Sequence, residues 1–488
     1  MVSSECLDKY VCEQLMLIGL KRTFPTEREM LTCMSGHSYS QILVNLSDRF
    51  VYMNRLEHGL EAIHDAVDLL RQLAADPFDP DLARSLIKFS NRLADLGHRE
   101  HALEVIQEAV DLQRKLAADR ADAFNPNLAV SLYNLSLCLS NLGHRERALE
   151  AVQEAVDLQR KLAADRPDIF NPDLAQSLNT LSPCLSDLGH RERALEVIQE
   201  AVDLQRKLAA DRPDVFNRDL PGSLHNLSLR LSDLGHLERA LEVIQESVDL
   251  QRKLAVHRPD SDIFNSDLAG SLNSLSLRLF DQGHHERALE VIQESVDLRR
   301  KLAVHRPNVF NPDLSASLHS LSFCLSHLGH RERALEVIQE TVDLQRKLAA
   351  DRPDVFNPNL ARSLHNLSLH LSHLGHHERA LEVIQEAVDL RRQLAADHPD
   401  VFNLNLAGSL HNLSLCLSNL GHHERALEVI QEAVDLHRQI AAHRPSIFNS
   451  VFAPSLDVLS RQFNLGHSEQ VLEALREAAI IRGQRAAV

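Results

Sequence analysis

The chain has 488 residues, 44% hydrophobic and 4% aromatic, with no Trp, and its 69 acidic and 52 basic residues leave a net charge of −17. That charge is spread along the chain, which argues against nucleic acid as a partner: phosphate binding needs a basic stripe and base stacking needs exposed aromatic rings. Seven scattered cysteines make no disulfide framework and suit a reducing compartment. Met1 to Cys12 carries Glu5 and Asp8 where a signal peptide would carry basic residues and an apolar run, and no stretch is long and apolar enough to span a membrane. The expectation is a cytoplasmic protein, with the nucleus left open.

Residues 1–38 follow no repeat and are expected to form a separate segment, either disordered or a degenerate unit. Residues 39–488 read as one repeat array. Asn45-Leu46-Ser47, with Asn54 in the turn, looks like a worn first unit. The phrase Leu-Gly-His-Arg-Glu-Arg-Ala-Leu-Glu around Gly143 then returns, with small changes, at Gly97, Gly189, Gly235, Gly283, Gly329, Gly375, Gly421 and Gly466. Adjacent glycines lie 46 residues apart, except for 48 into Gly283 and 45 into Gly466. Residues 451–488 make a divergent last unit in which Val471 replaces a small Ala. Self-similarity at this period predicts an all-α, right-handed α-solenoid of about ten antiparallel helical hairpins, with atypical ends.

One unit, taken around Gly421, shows the expected elements. Asn403 is placed as a helix N-cap, and Asn125-Pro126, Asn171-Pro172, Asn311-Pro312 and Asn357-Pro358 put Pro at the first helical position. Leu410, Leu413, Leu417 and Leu420 make one face of that helix. Gly421 and His422 form the turn, and a second helix from about Glu424 to Ala442 carries a wide apolar arc of Ala426, Leu427, Val429, Ile430, Ala433, Val434 and Leu436. Pro445 closes the unit, and Phe448, recurring at 124, 170, 216, 264, 310, 356 and 402, reads as a plug over the seam between units. Asp157 and Lys161 are spaced for a surface pair. Cys138, Cys184, Cys324 and Cys416 share a position that elsewhere holds Arg230, Arg278 or His370, which suggests a partly exposed helix flank.

The spacing Leu410-x2-Leu413-Ser414-x2-Leu417, followed by Ala426-x3-Ile430, resembles the tetratricopeptide repeat, with Leu, Ser, Leu and Ile where that family usually has Trp, Gly, Tyr and Phe. Gly421, Ala426 and Ala433 fall where the family keeps small residues. The family's unit is about 34 residues, so about twelve are added here; in this the chain is similar to the long-helix arrays of kinesin light chains and of expanded fungal and bacterial families. The resemblance implies a scaffold or adaptor that holds a peptide or protein segment in a concave groove. A self-associating structural protein is the alternative, as is a regulatory module detached from a signalling NTPase or a CHAT-type protease, neither of which is found in this sequence.

The resemblance directs attention to the face of the first helix opposite its leucines. Ten residues before each glycine stand Tyr133, Asn179, His225, Asn273, His319, His365 and His411. Six before stand Leu137, Pro183, Leu229, Leu277, Phe323, Leu369 and Leu415, and three before stands mostly Ser, with Phe280 the exception. A ladder of hydrogen-bonding side chains beside an apolar row suits an extended protein segment. Packing of the leucines against the adjacent first helix explains the row equally well.

His284-His285-Glu286, His376-His377-Glu378 and His422-His423-Glu424 fall in turns without the spacing that puts two ligands on one helical face, so no metal is expected. No phosphate loop, nucleophile elbow or Cys–His pair stands out, so neither a cofactor nor an enzyme activity is expected. Asn-Leu-Ser triplets at Asn45, Asn134, Asn226, Asn366 and Asn412 match the glycosylation pattern but lie within the first helices. Pro183 inside a helix, Pro221-Gly222 at another helix start, and extra residues near Ser261 mark residues 175–265 as the softest segment, a candidate hinge.

Overall fold

The computed structural model describes residues 36–53, 55–73, 79–212, 218–257 and 262–443. These contain eighteen helices and no strand. In chain order they are α1 (Gly36–Tyr52), α2 (Leu56–Leu73), α3 (Pro80–Asp95), α4 (Arg99–Asp119), α5 (Ala121–Asn141), α6 (Arg145–Asp165), α7 (Pro167–Asp187), α8 (Arg191–Asp211), α9 (Leu220–Asp233) and α10 (Leu237–His257). There follow α11 (Asp262–Asp281), α12 (His285–His305), α13 (Pro307–His327), α14 (Arg331–Asp351), α15 (Pro353–His373), α16 (His377–Asp397), α17 (Pro399–Asn419) and α18 (His423–His443). Odd and even helices are the first and second helices of nine hairpins among the described residues. The worn first unit is a genuine hairpin, α1–α2. The divergent last unit, with Pro445, Phe448, Gly466 and Val471, lies outside the described residues, as do Asn54, Phe216, Ser261 and most of the 1–38 segment.

The chain divides into two compact units, Met1–Val243 and Ile244–Val488, which part within α10. Inside each, helices consecutive in sequence pack on one another, so each unit is a stretch of α-solenoid.

Each hairpin from α3–α4 onward turns on a glycine in the left-handed region; at Gly143 φ is +77°. The Gly143 N–H donates to the Ser140 carbonyl at 3.0 Å and the His144 N–H to the Leu139 carbonyl at 2.9 Å, the two bonds of a Schellman cap. A Cβ on Gly143 would meet nothing within 4 Å, so what requires glycine is the backbone conformation alone.

The first helices begin earlier than the asparagines suggest. Pro167, Pro307, Pro353 and Pro399 occupy their first turn, where the missing N–H costs nothing, so Asn403 lies inside α17 instead of capping it. Pro126, Pro172, Pro312 and Pro358 correspondingly sit within helices. The cap positions Arg120, Arg166, Arg306 and Arg352 make no side-chain capping bond. Each instead holds its guanidinium 5.1–5.9 Å from the ring centroid of the Phe four residues on, from Arg120 over Phe124 to Arg352 over Phe356. That phenylalanine belongs to the helix itself and is buried at 124, 170, 310 and 356. Asp79 caps as expected from its chemistry, its carboxylate accepting from the Asp81 N–H at 2.8 Å at the start of α3.

The core follows the leucine stripe. Leu410, Leu413 and Leu417 are buried against Ala426, Ile430, Ala433 and Val434 of α18. A serine seven residues before each turn glycine fastens several hairpins internally. The hydroxyls of Ser90, Ser182, Ser228 and Ser414 donate to the carbonyls of Ala102, Ala194, Ala240 and Ala426 at 2.8–2.9 Å. The Ala side chain lets the helices approach closely enough for that bond. Between second helices runs a surface ladder of ion pairs, among them Arg114–Glu154 at 2.6 Å and Arg346–Glu386 at 2.6 Å. The expected Asp157–Lys161 pair is not formed: Asp157 accepts from Gln153 at 3.1 Å, and the ionic contact of that turn runs from Arg160 to Glu200 in the next second helix.

Pro183 does not interrupt α7. Pro221-Gly222 falls in the first turn of α9, which at 14 residues is shorter than the 21-residue α7.

Candidate functional site

The position ten residues before the turn glycine is half-buried in the seven hairpins from α5–α6 to α17–α18 and lies at the seam between successive first helices. In the Met1–Val243 unit, Gln176 donates to the Tyr133 hydroxyl at 3.1 Å and the Asn226 amide donates to Asn179 Oδ1 at 2.9 Å. In the Ile244–Val488 unit, Asn366 Nδ2 lies 3.2 Å from His319 Nε2, and His365 Nδ1 lies 3.2 Å from Ser409 Oγ. Asn412, inside one of the glycosylation-like triplets, is buried and donates to Ser368 Oγ at 2.7 Å.

Burial sets the electrostatics of these histidines. It pulls His319 down to about 4, with the Arg362 cation and then His370 adding to the effect. It also pulls His365 down to about 4, reinforced by Arg391 and then His411. His411 is lowered by burial as well, and His370 by burial and then His373. At neutral pH His319, His365 and His411 are therefore uncharged. His319 and His365 reach across the seam.

The position six residues before the glycine points outward. Leu229, Leu277 and Leu369 are half-buried, while Phe323 is 49% and Leu415 36% exposed. Beside Phe323 the repeat is broken by a cluster at the ends of α11 and α13. The Phe280 ring lies 4.7 Å from those of Phe323 and His327 and 4.6 Å from that of His285, and His285 stands 4.4 Å from His327. Phe280 replaces the serine found at that place in most units, which was the visible signal.

Two features escaped the sequence reading. Cys138, Cys184, Cys324 and Cys416 are buried, contrary to the expected exposed flank. Their position lies in the seam: Cys138 Sγ is 3.7 Å from Ser90 Oγ, and where histidine occurs the His370 ring nitrogen is 3.2 Å from Ser322 Oγ. Arginine is accepted because its stem fills the seam while its head reaches an acid one turn on, as in Arg230–Asp233 at 3.2 Å and Arg278–Asp281 at 3.3 Å. Burial pushes the Cys324 and Cys416 thiols up to about 11, so both are protonated and poor nucleophiles.

The second feature is a buried polar column sixteen residues after each glycine: Gln113, Gln159, Gln205, Gln251, Arg299, Gln345, Arg391 and His437. Arg391 Nη1 donates to the Asn405 carbonyl at 2.6 Å and to Ser409 Oγ, and Arg299 Nη1 donates to the Asp313 carbonyl at 2.6 Å and to Ser317 Oγ. Each arginine thereby ties a second helix to the first helix of the next hairpin. Burial lowers Arg391 to about 10, which leaves it charged at neutral pH. A polar residue recurring directly after the apolar arc was the available clue.

Among the described residues no group of three or more His, Cys, Asp and Glu is placed to hold a metal ion, and no helix is long and apolar enough to cross a membrane. The tandem histidines sit at the starts of second helices, His284, His376 and His422 immediately preceding α12, α16 and α18.

The repeat geometry has counterparts among known proteins. One tetratricopeptide repeat model matches residues 222–260, 268–305, 360–400 and 406–441, and a second matches 129–162. These hairpins are tetratricopeptide repeats. A model of anaphase-promoting complex subunit 5 matches residues 19–123 and 174–212. No curated protein sequence matches the chain. Among solved structures, a kinesin-light-chain type array of nearly identical TPR-like repeats from Podosopora anserina is 19% identical over 45% of this chain and 99% of its own, with a TM-score of 0.38. BtubC from P. vanneervenii is 18% identical over 52% of this chain and 93% of its own, with a TM-score of 0.42. The tetratricopeptide-sensor STAND ATPase of Pyrococcus horikoshii is 13% identical over 86% of this chain, with a TM-score of 0.50; the chain spans 52% of its length. At these identities the likeness concerns fold. The tetratricopeptide array thus extends beyond the five matched segments, because α3–α4, α7–α8 and α13–α14 carry the same turn glycines, Gly97, Gly189 and Gly329, and, at Ser182 and Ala194, the same fastening.

Proposed function

We propose that the chain is a non-catalytic, cytoplasmic scaffold or adaptor that holds a segment of another protein on the first-helix face of its tetratricopeptide repeats. The observation that carries this reading is the outward apolar row Leu277, Phe323, Leu369 and Leu415 in the Ile244–Val488 unit. Phe323 and Leu415 expose apolar surface that core packing leaves unused, as association sites do. The seam residues His319 and His365 join successive first helices, so the leucine row contacts the partner while the ladder sets its spacing. The tetratricopeptide repeat supports the reading as a fold of protein association. A polypeptide segment suits this face better than an anion does, since the face carries few fixed charges.

A comparative pull-down from native extract tests the proposal. Partners recovered by the wild-type chain should be lost from a Phe323→Asp, Leu415→Asp variant and kept by an Arg114→Gln variant, which alters the second-helix surface. Equal recovery by both variants would remove the first-helix face from consideration.

A further inference from the structure

Exposed large apolar side chains in this protein do not gather mainly on the first-helix face. Hairpin stacking sends every glycine turn to one edge of a unit and every connection from a second helix to the next first helix to the opposite edge. On that connector edge of the Ile244–Val488 unit, beyond the exposed Val256 and Ile263 that flank the α10–α11 connection, stand Val304 at the end of α12 and Val309, Val355 and Val401 in the first turns of α13, α15 and α17. They are 79%, 47%, 37% and 59% exposed. β-Branched side chains at helix ends gain nothing for helix propensity, and all four leave more than a third of their surface to solvent. Surface of this kind, repeated in register along one edge, is of the extent that marks an association site.

The charges flanking the valines decide what fits. At the α12–α13 connection Lys301 and Arg306 are cations, and His305 occupies the place that holds an aspartate further on. The α14–α15 connection is balanced, with Lys347, Asp351, Arg352 and Asp354. At the α16–α17 connection the lysine has become Gln393 and the arginine His398, while Asp397 remains. Lys301, His305, Asp351, Arg352, Asp354 and Asp397 are all exposed, and Arg306, half-buried, lies 3.9 Å from Asp262. The edge therefore runs from basic through neutral to acidic over three connections. Such a row is complementary to itself reversed: a two-fold axis at the middle connection would set Val304 and Lys301 of one copy against Val401 and Asp397 of the other. It would also set Arg352 against the other copy's Asp354. A twofold contact of this kind is closed and isologous, and the valine spacing of one copy matches that of the other because both come from the same repeat. A lipid surface or an unrelated protein has no reason to reproduce that period or that charge order.

We propose that this connector edge is a self-association surface, on which a second copy of the chain binds antiparallel through Val304, Val309, Val355 and Val401, oriented by opposite charges at the two ends. The apolar row alone is small beside the roughly 800 Å² per partner of a standard interface, so a reversible dimer with micromolar affinity is expected.

Sedimentation equilibrium of the full-length protein tests this. The wild type should move from the mass of one chain to that of two between about 1 and 100 μM, in line with such an affinity. Val304→Asp with Val401→Asp should remain a single chain throughout that range, with helical circular dichroism unchanged; both side chains are largely exposed, so folding is not at stake. Lys301→Glu should weaken association about tenfold, and adding Asp397→Lys to the same chain should restore it to within about threefold of the wild type, the behaviour of one coupled pair. A wild type that stays monomeric, a valine variant that still dimerises, or charge changes that weaken association additively would each overturn the proposal. The first-helix face is untouched by all of these substitutions, so the outcome is separable from that of the pull-down.

Discussion

In the Met1–Val243 unit the seam between first helices is joined through Tyr133 and Asn179, with His225 in its last first helix; in the Ile244–Val488 unit the same position holds His319, His365 and His411. The backbone geometry is alike in both, down to the turn glycines at φ +77° in Gly143 and +80° in Gly375. What differs is the response to protons. Tyr and Asn bury no group that takes up a proton near neutrality, whereas a buried neutral histidine withholds one that the unfolded chain accepts. A repeat thus copies its fold faithfully while its seams drift apart in chemistry.

Acid should expose the difference most strongly. His319 and His365 have folded-state pKa values lowered from 6.5 to about 4. Stability is whole above pH 6.5, where both states are neutral. It falls as the pH drops, because the unfolded state then binds more protons, and the loss levels off once the pH passes below about 4. At about 1.4 kcal/mol per pKa unit, each histidine contributes a loss on the order of 3 kcal/mol. Hydrogen exchange at pH 7 and pH 4.5, corrected for intrinsic rates, should show lost protection in α13, α15 and α17 before α5 and α7. Replacing both histidines with Asn, the residue that Asn179 already supplies, should flatten the response. Equal loss in both units would mean that the seam chemistry is irrelevant. Protection that is uniform across residues 175–265 would in the same experiment dispose of a hinge there.

The cores, by contrast, should be equivalent. Leu132 and Leu364 are both fully buried, and Leu→Ala at either should cost about 3 kcal/mol in urea unfolding. A difference between them larger than about 1.5 kcal/mol, half that cost, would show that the two units pack unequally. Smaller still is the effect at the turns. Gly143→Ala and Gly375→Ala should each cost about 1 kcal/mol, since only the left-handed conformation is penalised and the added Cβ has open space. A thermal shift that is absent at one site would mean that its turn can relax out of the Schellman geometry.

Much of the fold was legible because it rests on short-range rules. Leu410, Leu413 and Leu417 share a face by helical spacing, Gly421 marks a turn that needs positive φ, and Ala426 and Ala433 mark close approach. The misread helix start has a local cause as well: Asn403 offers a capping side chain, but Pro399, four residues earlier, fits the first turn and leaves the asparagine inside the helix. The misread cysteines have a distant one. Tolerance of Cys, Arg and His looked like exposure, yet Cys138 faces Ser90 in the hairpin before, and arginine meets the same site by reaching out to an aspartate. The first-helix face was likewise read as one surface. The ladder at His319 and His365 turns into the seam and the row at Phe323 and Leu415 turns out of it, a division that depends on where the neighbouring first helix lies.

By itself, then, the sequence determined the helical hairpin, its turn and its leucine–alanine core, since each depends on residues three, four or seven apart within one unit. Only the tertiary structure decided which polar side chains are buried and which apolar ones are not. The depressed histidines depend on atoms some 40 or more residues away in sequence, as in the pairing of His365 with Ser409, and the arginine ties depend on the next hairpin's first helix, 14 to 18 residues on; the bare valines depend on the absence of a covering neighbour. Burial is a property of the stack, and a single unit carries no record of what its neighbour covers.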